Sequence, residues 1–411
     1  MLTSPTAIPC SKTRLAFLWM HLANEPFIAL FTLLGFILKK DLGASTFQLS
    51  LLATLNPALA LLSFYLGAYL SKTHHRLVPN LMLSWVLGRI LFLVLPFYSS
   101  TPIVLAAACL YQLFHRAATP CTMEIVRKNL NTTQGTHLFS WVYFMSFLES
   151  LILGLFIGKI LDIHSNNWKY LLAITSIFSM TSLFLQRQIP KKTPASLDTL
   201  FEGKISFFKP FQDAWRLIRS SASFAKFQAG FMCGGLGLMI MNPALLIFYH
   251  DHLHLSHQQM TTARYVWMGL GVLFSTFIWK KYLNKNLLCF LTSLIILGFA
   301  LFPLGILYAS KTFYSLYFAF FIYGIAQAGS HLVWHLSSLF FAAEKESSAM
   351  YTATNILAVG LRGLVGPFLG GFLTESLGPS TTLMIGSVIC LSGIYFMLPQ
   401  TNVSKKPIPL D

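Results

Sequence analysis

Asp41-Leu42-Gly43-Ala44-Ser45-Thr46-Phe47-Gln48-Leu49 returns later in the chain as His252-Leu253-His254-Leu255-Ser256-His257-Gln258-Gln259-Met260. Leu, Ser and Gln keep their places, displaced by 253 − 42 = 211 residues. A second pattern behaves the same way. Gly154-x-x-x-Gly158-x-x-Leu161 reappears as Gly366-x-x-x-Gly370-x-x-Leu373, an offset of 366 − 154 = 212. Either match alone is within reach of chance. Two matches at nearly one offset, close to half of the 411 residues, imply a chain built from two related halves.

Composition says what the halves are made of. The chain is 55% hydrophobic and 10% charged, with a mean hydropathy of +0.64. A soluble domain carries about 25% charged residues, so this chain requires lipid as its solvent. The apolar stretches run uninterrupted over helix length, which selects helices over a barrel of short alternating strands. Twelve spans are expected, near 15–38, 48–70, 78–98, 102–122, 139–161, 168–186, 224–248, 261–280, 287–308, 312–340, 348–374 and 380–398. The fold class is therefore an all-α membrane protein of two pseudo-symmetric six-helix bundles. Residues 1–186 form the first bundle, 187–222 a polar linker and 223–411 the second bundle.

The formal net charge of +16 is concentrated in particular loops, so membrane topology explains it better than nucleic-acid binding. Lys12, Arg14, Lys72, Arg76, Arg127, Lys128, Lys280, Lys281 and Lys285 fall on one side together with the linker, and the opposite loops hold few cations, among them Lys39, Lys40 and Arg264. The bias predicts a multi-pass protein of the cell (inner) membrane with both termini and the linker in the cytoplasm. Phe207, Phe208, Phe211, Trp215 and Ile218 recur at helical spacing, with Pro210 suited to a first turn, so the linker is expected to hold an amphipathic helix on the membrane surface. The six cysteines are scattered without a C-x-x-C pair and read as small buried hydrophobes.

Six plus six spans, a basic linker and the half-to-half repeat resemble the major facilitator superfamily. That family's signature loop between spans two and three, Gly-x-x-x-Asp-Arg/Lys-x-Gly-Arg/Lys-Arg/Lys, is matched in part by Gly67-Ala68-Tyr69-Leu70-Ser71-Lys72-Thr73-His74-His75-Arg76. Ser71 stands at the Asp position and His74 at the second Gly. The resemblance implies that Gly67, Ser71, Lys72 and Arg76 form a gating loop whose usual acidic latch is altered. Gly366-Pro367-Phe368-Leu369-Gly370-Gly371 resembles the span-five motif of proton-driven drug exporters, displaced here to span eleven, where close helix packing is the simpler meaning. The resemblance also implies a central cavity lined by spans one, four, seven and ten.

Polar residues gather in those four spans, and each intramembrane charge needs a reason. Span one holds His21, Asn24 and Glu25 ahead of Pro26, and His21 and Glu25 share a face. Glu25 reads as a proton carrier or as a structural hydrogen-bonded acid. Span four holds Gln112, His115 and Arg116; the permanent charge of Arg116 calls for Glu25, another acid or an anionic solute. Span seven offers Asn242 before Pro243, and span ten Gln327, His331, Trp334 and His335. Two histidines one turn apart suit proton exchange, whereas no third zinc ligand accompanies them. Arg89, Glu149 and Arg362 read as structural charges, with Arg89 and Glu149 at similar depth. The His250-Asp251-His252-Leu253-His254-x-x-His257 loop has the look of a metal site but also of a wet outer loop, so no metal or other cofactor is expected.

The function expected is secondary active transport of a small organic solute by alternating access, coupled to protons. Its partners would be the solute, the proton and the bilayer, without nucleic acid, in a monomeric protein. Export of amphipathic drugs is the alternative within the class. A membrane-embedded enzyme or a non-transporting receptor is the alternative outside it; with no nucleotide-binding loop or catalytic triad in the sequence, an enzyme is not the reading adopted.

Overall fold

A computed structural model of the chain describes residues 7–72, 76–164, 166–190, 209–282, 287–341 and 348–397. All of the described secondary structure is helical. The first half runs α1 (Ala7–Leu22), α2 (Glu25–Thr32), α3 (Leu34–Leu42), α4 (Thr46–Lys72), α5 (Leu77–Leu87), a 3-10 turn (Ile90–Val94), α6 (Thr101–Asn129), α7 (Thr132–Ile163), α8 (Asn167–Met180) and α9 (Ser182–Gln186). After α10 (Lys209–Ser220) the second half runs α11 (Ala222–Ile247), α12 (His257–Thr261), α13 (Met268–Tyr282), α14 (Leu288–Tyr308), α15 (Tyr314–Phe341), α16 (Ser348–Leu377) and α17 (Pro379–Met397). Two π-helical turns, Phe248–His252 and Thr262–Trp267, follow α11 and α12. Read as rods, α1–α3, α4, α5 with its 3-10 turn, α6, α7 and α8–α9 make six spans. The rods α11, α12–α13, α14, α15, α16 and α17 make the other six.

Nine described helical stretches are long and apolar enough to cross a membrane, and Thr46–Leu62 adds a shorter one. The rods short of that criterion include α6, with Gln112, His115 and Arg116 at its middle, and α12–α13, with Arg264 near its start. Both carry polar groups into the interior of the protein.

Span one departs from the single kinked helix expected over 15–38. It begins at Ala7, breaks at Ala23–Asn24, breaks again at Leu33 and continues to Leu42. Pro26 sits in the first turn of α2, where it has no backbone donor to lose. By contrast, α11 runs through Pro243 without interruption. Of the expected linker helix, α10 is described, with Pro210 in its first turn; Phe207 and Phe208 lie outside the described residues. Ala214 and Leu217 are its buried face, and Arg219 lies over the exposed ring of Trp215.

The repeated Leu-Ser-Gln has a physical origin in helix starts. The Ser45 hydroxyl accepts from the Gln48 amide (3.3 Å) while the Gln48 side chain accepts from the Ser45 amide (2.9 Å). Ser256 and Gln259 repeat the arrangement at 3.0 and 2.9 Å. Each is a reciprocal capping box that satisfies two orphan donors at the start of a rod. Ser45→Ala or Ser256→Ala should each cost about 1 kcal/mol, read as a lowered unfolding temperature in detergent.

The halves touch at the first-half glycines of the repeat and at two other glycines of α16. A Cβ on Gly154 would stand 2.3 Å from Tyr265 Cβ, and one on Gly158 would stand 2.5 Å from Gln258 Cα. On the other flank a Cβ on Gly363 would meet Pro57 at 2.1 Å and one on Gly371 would meet Ser50 at 2.2 Å. So α7 packs on the α12–α13 rod and α16 packs on α4, two contacts related by the exchange of halves. Gly366 and Gly370 instead admit Met239 and Ile240 of α11. One buried core links both halves through Ile37, Leu49, Ile157, Met241, Leu255 and Met260 at the end of the bundle holding Gly43 and Gly158, called the distal end below. At the opposite, linker end the first half packs a separate core around Phe17, Leu81, Trp85, Ile125 and Ile189.

Candidate functional site

A cavity of about 440 Å³ lies between the halves, lined mostly by the second. Phe231, Tyr249, Phe299, Phe302, Phe320 and Tyr323 form its aromatic wall. Asn56, Asn242, Gln327 and Ser330 supply neutral polar groups, and Thr32, Leu33 and Phe36 close it from span one. Its charged described residues are Arg264 and Arg362, with no Asp or Glu among the described lining.

Local structure aims both arginines. Arg264 sits in the π-helical turn Thr262–Trp267, where an extra residue per turn shifts the side-chain register, a device common at functional sites. It hydrogen-bonds the Tyr265 hydroxyl, and that hydroxyl donates across to Ala29 O in the first half at 2.5 Å. The Tyr265 hydroxyl also meets the Thr32 hydroxyl. On α16, Arg362 donates from Nη1 to Phe231 O at 2.7 Å and lies over the Phe231 ring at 4.7 Å. Its Nε is buried and has no hydrogen-bond partner. Gly235 makes room for the guanidinium: a Cβ there would stand 2.0 Å from it.

The distal end is shut by charges from both halves. The His257 ring nitrogens stand 2.9 Å from Asp41 Oδ2 and 3.0 Å from Asp162 Oδ1, and the ring is almost fully buried. Asp162 also accepts from the backbone amides of His257 and Gln258, both at 2.9 Å. Lys39 pairs with Asp251 (2.9 Å), and Lys40 donates to Leu255 O (3.0 Å). The loop histidines thus have separate partners: His250 meets Asp251, His252 stacks on Phe248, and His254 adopts a left-handed backbone with φ 47.

In the first half, Arg89 is fully buried and bound by neutral groups. Nη2 donates to Asn24 Oδ1 (2.6 Å), Nε to Ser179 Oγ (2.8 Å) and Nη1 to Trp85 O (3.0 Å), with the Trp85 ring 3.7 Å away. The similar depth of Arg89 and Glu149 left a pair between them open; Arg89 is instead held by hydrogen bonds to Asn24, which the break in span one presents, and to Ser179. Glu25 is buried against α7, where the Ser150 and Ser146 hydroxyls donate to it. Glu149 neighbours Glu25, and its Oε2 is buried without a partner.

Of the residues singled out in the sequence, Asn242 and Gln327 line the cavity. His331 lies 3.2 Å from the Gln327 amide, and Trp334 stacks on Phe231. Arg116 donates to Asn56 Oδ1, not to an acid, and so adjoins the cavity through Asn56. His21 neighbours His115, which stacks on Tyr111, and Gln112 is half-buried on α6. These three, Asn24 and Glu25 are not among its lining. The side chains of Gly67, Ser71, Lys72 and His335 lie outside the described residues, as do positions 73–75; Arg76 is exposed at the start of α5. Sequence reasoning counted Arg264 with the loop cations although it falls within the eighth span, and it singled out His257 as part of a metal-like loop but missed its pairing with Asp41 and Asp162. The repeated capping box, which marks Ser256 as a helix start, was the available signal that Arg264 lies inside a rod.

Comparison with known proteins agrees with the fold. The Major Facilitator Superfamily profile matches residues 26–337 and again 229–409. Among solved structures, a POT family transporter in complex with a thioalcohol-conjugated peptide is 14% identical with a TM-score of 0.72, covering 94% of each chain. The nucleoside transporter NupG is 14% identical with a TM-score of 0.64, covering 94% of this chain and 100% of its own. A bacterial homolog of the human lysosomal transporter Spinster, inward-facing and unoccupied, is 13% identical with a TM-score of 0.61, covering 96% and 95%. Comparison with curated proteins finds no match.

Proposed function

Because the chain belongs to the major facilitator superfamily, a family of secondary transporters and not of enzymes, we propose that the cavity between its halves takes up a small organic solute and that proton movement drives the cycle. The observation that carries this reading is the cavity itself, faced by both halves and closed at the distal end by contacts from each half. With the linker and both termini in the cytoplasm of the inner membrane, this is an inward-facing arrangement. The distal contacts must part for the solute to enter or leave on the other side.

The proton is assigned to Glu25 and Glu149. Two carboxyls lie near enough inside the first half to feel one another's charge, and among the described residues neither makes an ion pair. Glu25 touches α7, the helix that carries Gly154 and Gly158 onto the opposing bundle, so a change in its charge bears directly on the helix that closes the distal end.

The test is counterflow in proteoliposomes loaded with a metabolite library, read by mass spectrometry. At least one solute should exchange in sealed vesicles and none in protein-free ones. Exchange by none would count against transport. For a solute so found, Glu25→Gln should abolish accumulation driven by a pH gradient, a loss of at least about tenfold, while sparing exchange. Normal pH-driven accumulation in that variant would make Glu25 structural.

A further inference from the structure

We propose that the solute is an organic anion, a carboxylate or phosphate on an apolar or planar body, whose charge is met by Arg264 and Arg362. The inference rests on the transport reading above and specifies what the cavity accepts.

Charge balance carries it. Two guanidinium groups face a cavity whose described lining contains no acid. An arginine in the bilayer interior keeps its charge and needs a counter-ion or a dense set of acceptors. Arg89 shows what a purely structural arginine in this protein has: acceptors at 2.6, 2.8 and 3.0 Å for three of its nitrogens. Arg362 has one carbonyl at 2.7 Å and a buried Nε without a partner. The distal acids are committed elsewhere, Asp41 and Asp162 to His257 and Asp251 to Lys39 and His250. Glu25 is held by Ser150 on the far side of span one, and neither it nor Glu149 lines the cavity. The missing counter-charge is best supplied by the passenger.

The neutral lining fits the same passenger. Arg116 donates to Asn56 Oδ1, which leaves the Asn56 amide nitrogen, a donor, for the cavity. The wall of Phe and Tyr rings suits a flat or greasy body, and a volume of about 440 Å³ admits a small metabolite rather than a bulky one. Phe231 and Gly235 fix the Arg362 guanidinium in advance, so its charge is positioned before the solute arrives.

The test needs no knowledge of the solute. Ser330→Cys, in a background with the native cysteines replaced, places one thiol in the cavity wall of the purified full-length protein. Its modification rate is measured with a neutral methanethiosulfonate, an anionic sulfonatoethyl reagent and a cationic trimethylammonium reagent, each normalised to a free thiol in solution. The anionic reagent should outpace the cationic one by at least about tenfold, because a cleft lined by one sign of charge concentrates the opposite ion. Arg264→Gln and Arg362→Gln should each lower that ratio by about threefold or more, and Arg362→Lys should preserve it. Gly235→Ala keeps every charge but displaces the Arg362 guanidinium, and should lower the ratio as Arg362→Gln does. A ratio at the free-thiol value, or one unmoved by both Gln variants, overturns the proposal. A thiol that the neutral reagent cannot reach overturns it too, since a binding site must be reachable. The measurement is made in detergent without a gradient. Charge selectivity with no counterflow would therefore sink the transport reading alone, and counterflow without selectivity would sink the anion site alone.

Discussion

Gly158→Leu is expected to fold, insert and yet fail to close at the distal end, with exchange falling at least about a hundredfold. The Cβ alone would stand 2.2 Å from Thr261 Oγ1 and 2.5 Å from Gln258 Cα, and its three nearest neighbours all belong to the second half. The packing of α7 inside its own bundle is untouched, so stability should change little. Backbone cannot yield as a side-chain tip can, and the two bundles must stand apart by the thickness of the new side chain. A hundredfold loss corresponds to about 2.8 kcal/mol added to the closed state. Distances between spin labels on either side of the distal end should lengthen, and thiols placed beside Asp41 should become reactive. Unchanged exchange would mean that the α7 contact is not remade in each cycle.

The largest effect on stability is expected at Asn24. Asn24→Leu removes the acceptor of Arg89 Nη2, one of the three acceptors that hold a fully buried cation, and the acceptor of the Ser179 hydroxyl with it. Losing a charge-assisted hydrogen bond costs about 1.5–3 kcal/mol, and stranding a buried charge raises this to about 3–5 kcal/mol. The double variant Asn24→Leu with Arg89→Met removes the stranded charge along with its acceptor. It should recover most of the loss, since a buried ion with its partners can be replaced by apolar groups at little cost. Thermal unfolding of the single and double variants in one detergent closes the cycle. Additive losses would show that Arg89 does not depend on Asn24.

The sequence made the architecture legible because lipid imposes it: apolar length counts the spans, and the offset near 211 pairs the halves. It also disclosed which residues share a depth, but not which neighbour each face of a helix meets. Glu25 and Arg116 illustrate the gap. Both are intramembrane charges in spans expected to line a cavity, yet Glu25 faces α7 and Arg116 faces Asn56 on α4. The direction of a side chain around its helix depends on the two breaks in span one, and Pro26 announced only that a break was near. Arg362 was visible as a charge in an apolar helix, but its meaning came from Gly235 and Phe231, which are more than a hundred residues away in sequence. Arg264 fell inside the span expected over 261–280 and was still counted with the loop cations, because a charge near the edge of a span was read as topology and not as cavity lining.

The charged closure also bears on how a duplicated chain recognises its own two parts. By the offset that aligns the capping boxes, Lys40 corresponds to residue 40 + 211 = 251, which is Asp251, and Asp41 corresponds to His252. The duplicated segment thus reads Lys-Lys-Asp in one half and His-Asp-His in the other, and Lys39 grips Asp251 across the boundary. Residue 251 is the counterpart of residue 40, so two first halves docked through this surface would set Lys39 against Lys40 of the copy, and two second halves would set His250 against Asp251. The mixed pairing brings Lys39 and Asp251, opposite in sign, to the place where a pair of first halves would bring two cations. These few charges let the surface of the first half repel its own copy while it grips its counterpart.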